Sequence, residues 1–183
     1  RPFGSDGAAV SAQENNGTIR LAGVVRESIV DGPGIRFTVF VQGCPHHCPG
    51  CHNPQTHDPE GGYDCAPQRL LEEIDRDPLV RGVTLSGGEP MEQAEALLPF
   101  AREVRARGRD LVIFSGYTFE QLLEMGTRRP AVRELLSLAF LLVDGRFVLA
   151  ERDLTLSFRG SRNQRLLDPA ASLAAGRAIE ANV

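Results

Sequence analysis

The chain contains no lysine: all 20 of its basic residues are arginine. That excludes Schiff-base and P-loop lysine chemistry from the outset. There is also no run of about 18 apolar residues, so no membrane-spanning helix is expected. A formal net charge of −4 argues against a nucleic-acid or anionic-membrane surface. At 183 residues the chain has the length of one domain. It is short of the ~250 residues typical of a complete eight-fold βα barrel. No secretory signal is visible, and a cytoplasmic location is expected.

Cysteine is sparse but clustered. Of four cysteines, Cys44, Cys48 and Cys51 fall within eight residues, with the spacing C-x3-C-x2-C. They lie too close for a pairwise disulfide framework, so the set reads as metal binding. Three thiolates on one tight loop can each bind one iron of a cubane cluster, leaving a fourth iron open. The competing reading is structural zinc, with His46, His47, His52 or His57 as the fourth ligand. Cys65 stands outside the spacing and reads as a small buried hydrophobe.

Residues 1–17 are small, polar and aperiodic and read as a mobile tail. Residues 18–183 read as one domain. Thr18 to Val30 is a strand or hairpin, Asp31 to Gly34 a turn, and Ile35 to Gln42 a β-branched and aromatic strand. Gly43 to Asp64 holds four prolines, four glycines and all four histidines, which excludes a regular helix. A loop of that length in a compact domain is usually functional. Strands then alternate with helices. Strands are expected at Gly82–Leu85, Asp110–Phe114 and Ala139–Asp144. Helices are expected at Pro67–Asp75, Met91–Arg107, Thr118–Met125, Ala131–Leu138 and Pro169–Ala181. Such alternation predicts an α/β fold with a parallel sheet and right-handed crossovers. Glu151 to Leu167 shows no period.

Ser86-Gly87-Gly88-Glu89-Pro90 ends the strand that starts at Gly82. The glycines would let backbone approach a ligand closely. Glu89 would present a carboxylate at the rim where βα folds carry function, suited to a cationic group such as an α-amino group. Ser115-Gly116-Tyr117 and Asp144-Gly145 are polar ends on the same rim. Arg102, Arg105, Arg107 and Arg109 read as a solvated helix terminus, and His46 and His47 as exposed loop residues. The arginines from Arg152 to Arg165 would suit an acidic partner as well as a solvated tail.

These motifs together resemble the radical S-adenosylmethionine superfamily. Asp31-Gly32-Pro33-Gly34-Ile35-Arg36, Cys48-Pro49-Gly50-Cys51-His52-Asn53 and Leu142-Val143-Asp144-Gly145-Arg146-Phe147 are similar to its glycyl-radical-enzyme activase branch. Phe158-Arg159-Gly160-Ser161-Arg162-Asn163-Gln164 is similar to the C-terminal signature of activating proteins for anaerobic (class III) ribonucleotide reductase. The resemblance runs from about Arg20 to Asp168.

The resemblance implies a partial βα barrel, mostly parallel, with outer helices. It implies a [4Fe–4S] cluster on Cys44, Cys48 and Cys51, and S-adenosylmethionine bound at its open iron. Ser86, Gly87, Gly88 and Glu89 would bind the methionine end of that cofactor, Ser115 and Asp144 would line the pocket, and His52 and Asn53 would lie beside it. Gly50 stands where many superfamily members carry an aromatic residue, so adenine packing would fall to Tyr117 or to the His52–Asn53 backbone. The implied reaction is reductive cleavage to a 5′-deoxyadenosyl radical, which makes a glycyl radical on a partner enzyme, anaerobic ribonucleotide reductase. The electron would come from a low-potential donor such as flavodoxin or ferredoxin. The alternatives are a stand-alone radical enzyme acting on a small metabolite or peptide, and a zinc-bound interaction module.

Overall fold

The structure, a computed structural model, describes residues 17–183. Of the tail expected at residues 1–17, all but Gly17 lies outside the described residues. The described residues build one seven-stranded sheet from β1 (Ile19–Ser28), β2 (Arg36–Val41), β3 (Tyr63–Cys65), β4 (Gly82–Gly87), β5 (Asp110–Ser115), β6 (Leu141–Asp144) and β7 (Arg165–Leu167). The strand order is β3-β1-β2-β4-β5-β6-β7. The four central strands, β2, β4, β5 and β6, are parallel. The flanking β1, β3 and β7 pair antiparallel. The edges β3 and β7 do not meet, so the sheet is an open, partial barrel.

The helices are α1 (Pro67–Asp75), α2 (Ala94–Ala106), α3 (Phe119–Met125), α4 (Pro130–Leu138) and α5 (Pro169–Ala175). Because the parallel strands advance in one direction, right-handed crossovers put the connecting helices on one face. There α2 packs between α1 and α4. Its buried stripe includes Leu97, Phe100, Ala101 and Val104. The strands meet this layer with Phe37, Val39, Val83, Leu85, Leu111, Ile113 and Leu142, all in the main core. Strand side chains alternate between faces, so Arg36, Thr38, Phe40, Thr84, Ser86, Phe114 and Val143 turn to the other face. Among the described residues no helix is long and apolar enough to cross a membrane.

Four elements differ from the sequence expectation, one being β3, which begins inside the segment read as a loop. The helix expected from Met91 starts as a 3-10 turn over Pro90–Gln93, because the Glu89 side chain accepts from the Met91 N–H and Pro90 fills the first position. The helix expected to reach Ala181 stops at Ala175, where Gly176 adopts the left-handed conformation at φ 70°. The chain then returns, and the Asp168 N–H donates to the Ile179 carbonyl. The segment without a period contains β7, whose three residues pair antiparallel with β6.

The arginines after α2 are more engaged than a solvated terminus. Arg107 pairs with Asp75 and Glu103, and Arg109 donates to the backbone carbonyls of Asp77 and Val80.

Candidate functional site

The parallel register puts the C-terminal ends of β2, β4, β5 and β6 on one rim. Val41 pairs with Gly87, and Ser115 with Asp144. The cysteine loop leaves β2 at that rim. It is pinned there by backbone bonds: the Gly43 N–H donates to Thr56 at 2.6 Å, the Cys44 N–H to His57 at 3.1 Å, and the Glu89 N–H to Gly43 at 2.8 Å.

Below the loop is a cavity of about 590 Å3. Cys44, Cys48, Cys51, His52 and Asn53 line its loop side, and Ser86, Gly87, Gly88 and Ser115 its strand-end side. Phe40, Phe114 and Val143 form the sheet wall, and Phe147 and Phe158 come from the later segment. In the sequence, Phe147 and Phe158 stood only as motif members, and none of these aromatic residues had a place at the site. Arg36, on the same face of β2 as Phe40, is wholly buried and donates to Thr84 Oγ1 and to the Pro33 and Val83 carbonyls. Burial lowers the Arg36 pKa, and the bond to Asp110 opposes that shift.

The three loop thiols are free and partly exposed. The Asn53 N–H donates to the Cys51 sulfur at 3.4 Å. Burial pushes the Cys44 and Cys48 thiols up, and nearby backbone N–H groups pull the other way. Three free thiols on one cavity, one of them with an N–H donor of the kind that tunes an iron–sulfur cluster, fit such a group. Among the described residues no three His, Cys, Asp or Glu side chains converge on a single metal ion. A cubane, which spreads its thiolates over separate irons, does not require that convergence. Cys65 lies in the core, 3% exposed, on β3.

The glycine pair has a structural cause. Gly87 takes φ 97°, and a Cβ there would lie 2.7 Å from the Val41 nitrogen. A Cβ on Gly88 would lie 2.4 Å from the Gly43 carbonyl oxygen. The glycines therefore let β4 end against β2 and the cysteine loop, as well as lining the cavity.

Glu89 and Asp144 are not among the cavity-lining residues. Glu89 is buried, and its carboxylate accepts from His46 Nε2, Ser115 Oγ and the Gly116 and Met91 N–H groups. Asp144 is 1% exposed and accepts from the Phe119 N–H at 2.7 Å and from Arg165 Nη2 at 2.5 Å. Arg165 is therefore an internal brace rather than a member of a free cationic run. Its pKa is raised by the bonds to Asp144 and Glu120.

His46, expected to be exposed, has a side chain only 8% accessible. Its partner is 43 residues away, so nothing in the loop itself announced the contact. Tyr117 packs edge-on against His46 with ring centroids 4.5 Å apart, and its hydroxyl donates to Glu92. It stands behind His46 rather than on the cavity wall. His52 and Asn53 are at the wall, and the His52 ring lies 5.3 Å from that of Phe147.

Residues 30–167 match the family described as a 4Fe-4S single cluster domain. The anaerobic ribonucleoside-triphosphate reductase-activating protein of Escherichia coli is 34% identical over 144 residues, covering 74% of this chain and 90% of that protein. Its counterpart in Haemophilus influenzae is 33% identical over 144 residues, covering 74% and 89%. The pyruvate formate-lyase-activating enzyme of Clostridium pasteurianum is 36% identical over 114 residues, which are 57% of this chain and 48% of that enzyme. Among solved structures, QueE from Escherichia coli overlays with a TM-score of 0.45 at 19% identity, over 60% of this chain and 59% of that one.

Proposed function

The chain belongs to the 4Fe-4S single cluster domain family, alongside reductase-activating proteins at 34% identity, and from that premise we propose that it activates a glycyl radical enzyme, anaerobic ribonucleotide reductase. It is a radical S-adenosylmethionine enzyme whose cofactors are a [4Fe–4S] cluster and S-adenosylmethionine. When bound, these two supply one-electron cleavage of a sulfonium and abstraction of a hydrogen atom.

Cys44, Cys48 and Cys51 hold the cluster, with the Asn53 N–H at the Cys51 sulfur favouring its reduced, more negative state. The backbone of Ser86, Gly87 and Gly88, with the Ser115 hydroxyl, faces the polar end of S-adenosylmethionine. Phe40, Phe114 and Val143 exclude water from the centre of the cavity, which protects a reactive radical from side reactions. His52, Asn53 and Phe147 form the wall against which a flat adenine ring packs. The partner's glycine enters through the open side of the sheet.

One observation carries this reading: three free thiols of one loop share one cavity with the glycine-rich end of β4. The test is anaerobic reconstitution followed by reduction in the presence of S-adenosylmethionine and the reductase. Expected products are methionine, 5′-deoxyadenosine and a glycyl-radical electron paramagnetic resonance (EPR) signal on the reductase. Cofactor cleavage with a small metabolite, and no radical on any glycyl radical enzyme, would overturn the activase reading. The electron donor we infer is a low-potential flavodoxin or ferredoxin, checked by replacing the chemical reductant with either protein.

A further inference from the structure

Two stretches of the cavity wall, far apart in sequence, stand open to solvent. One is the turn after β1, where Ile29 is 74% and Val30 71% exposed although both line the cavity. The turn is held stiffly. Asp31 Oδ2 accepts from Ser28 Oγ at 2.5 Å and from Thr38 Oγ1 at 3.1 Å, and the Asp31 carbonyl accepts from Thr84 Oγ1 at 2.7 Å. The other stretch precedes β7. Leu156, Phe158 and Arg159 line the same cavity, and Leu154, two residues earlier, is 77% exposed. This stretch is braced as well: Gln164 Oε1 accepts from the Gly160 N–H at 2.8 Å and from the Ser161 N–H at 3.2 Å. Phe158 is held at φ 61°, a backbone strain that only a fixed surrounding maintains. Large apolar side chains exposed on fixed backbone, at the opening of a cavity, mark a contact surface rather than a solvated loop.

The charge at this opening is one-sided. Arg36, Arg107, Arg129 and Arg165 each hold a carboxylate. Arg146 and Arg159 line the cavity and are in no ion pair among the described residues. Arg159 engages only its Nε, with the Ser157 carbonyl at 3.2 Å. Of the arginine run between residues 152 and 165, it is the member that reaches the cavity. We propose that the opening is a docking groove for an extended segment of the glycyl radical enzyme, one with apolar residues beside its glycine and a carboxylate that pairs with Arg159. The inference rests on the reading that this chain activates such an enzyme, since that reaction brings a peptide to the cavity.

An extended chain turns successive side chains to opposite sides, so one segment meets both stretches at once. Ile29 and Val30 cover its apolar side chains from the turn, and Leu154 and Leu156 cover them from the segment before β7. A helix, some 10–12 Å across with its side chains, is too thick to carry a backbone Cα to the cofactors in a cavity of this size. The two kinds of contact respond differently to salt. The Arg159 pair is partly exposed and is screened as ionic strength rises, whereas the apolar contacts are not.

The test uses the full chain reconstituted anaerobically, with anaerobic ribonucleotide reductase as the probe and rates taken per cluster. The glycyl-radical EPR signal gives the KM for the reductase at low and high salt. Release of 5′-deoxyadenosine without the reductase gives the KM for S-adenosylmethionine. Arg159→Gln is expected to raise the reductase KM about tenfold and to flatten its salt dependence. Leu154→Ser, and Ile29→Ser combined with Val30→Ser, change exposed side chains and are expected to fold as the wild type does. They are expected to raise the reductase KM several-fold with the salt dependence intact. If either the arginine variant or the apolar variants leave the reductase KM unmoved, the groove is overturned and the activase reading stands. A raised KM for S-adenosylmethionine in Arg159→Gln overturns it too, by making the arginine a ligand of the cofactor's own carboxylate. A wild-type chain that places no radical on the reductase overturns the activase reading and the groove with it.

Discussion

Arg36 of β2 reaches past Gly82 of β4 to Asp110 of β5: Nη2 lies 2.5 Å from Oδ1, with the arginine side chain wholly buried and the aspartate 17% exposed. Arg81 reaches the other Asp110 oxygen at 2.9 Å from the surface side. Removing the acid strands the buried Arg36 charge, whereas removing Arg36 leaves Asp110 still paired with Arg81 near the surface. Asp110→Ala is therefore expected to cost about 3–5 kcal/mol. Arg36→Met is expected to cost roughly half of that, because the Pro33 and Val83 carbonyls lose a donor but no charge is stranded. Urea denaturation of both variants checks the order, and a greater loss for Arg36→Met would refute it.

The cysteines divide three to one. Cys65 sits on β3 opposite Ile19, buried with its thiol against the Ala66 carbonyl. Cys65→Ala is expected to keep the full iron and sulfide content and to lose on the order of 1 kcal/mol of stability from the small cavity it leaves. Cys48→Ala is expected to lose the cluster and all cleavage of S-adenosylmethionine. Metal and sulfide analysis of the two purified variants distinguishes them. Loss of the cluster in Cys65→Ala would make it a fourth ligand.

How far the sequence could be read depended on the range of each interaction. The runs DLVIF and LLVD were legible as β5 and β6 because continuous apolar side chains need cover on both faces. β3 and β7 were not, since each has three residues and is held by its register on a neighbour rather than by its own pattern. The cysteine loop was legible from spacing alone. The glycine pair was visible as a motif, but its cause was not, because the obstruction at Gly88 is the carbonyl of Gly43 on another strand end. The same holds for His46 with Glu89 and for Asp144 with Arg165. Both contacts are made across the sheet, so the loop looked solvated and the aspartate looked free.

Gly87 tests that cause directly. Its φ of 97° is strained for any L side chain, and the added Cβ would press on the backbone of Phe40 and Val41. Strain of this type costs about 1–3 kcal/mol. Gly87→Ala is expected to lose at least that much, and to take up less iron and sulfide because β4 no longer ends against the cysteine loop. Thermal unfolding and iron analysis give the two readouts. Wild-type stability with impaired S-adenosylmethionine binding would instead mean that the glycine serves the ligand alone.

Acid should weaken the helix layer through Glu95. Arg129 grips this carboxylate from the start of α4 with two bonds, Nη2 to Oε1 at 2.6 Å and Nε to Oε2 at 2.9 Å. The pair holds Glu95 below the usual carboxylate value of 4.5. A carboxyl group whose pKa is lower folded than unfolded adds stability above its unfolded value, and that stability is lost as pH falls through the folded one. The wild-type urea midpoint is therefore expected to be level from pH 7 to about pH 5 and to fall below it. Arg129→Ala returns Glu95 to its unfolded behaviour. At pH 7 the ion pair accounts for less than about 1 kcal/mol of the loss, since Glu95 is more than half exposed and the pair is screened by solvent. The lost bond from Arg129 to the Met91 carbonyl adds an offset that does not vary with pH. Beyond that offset, the wild-type and Arg129→Ala curves are expected to converge between pH 5 and roughly pH 3, because the wild type alone gives up the stabilised carboxylate there. Parallel curves across that window would mean that the pair contributes nothing to folding.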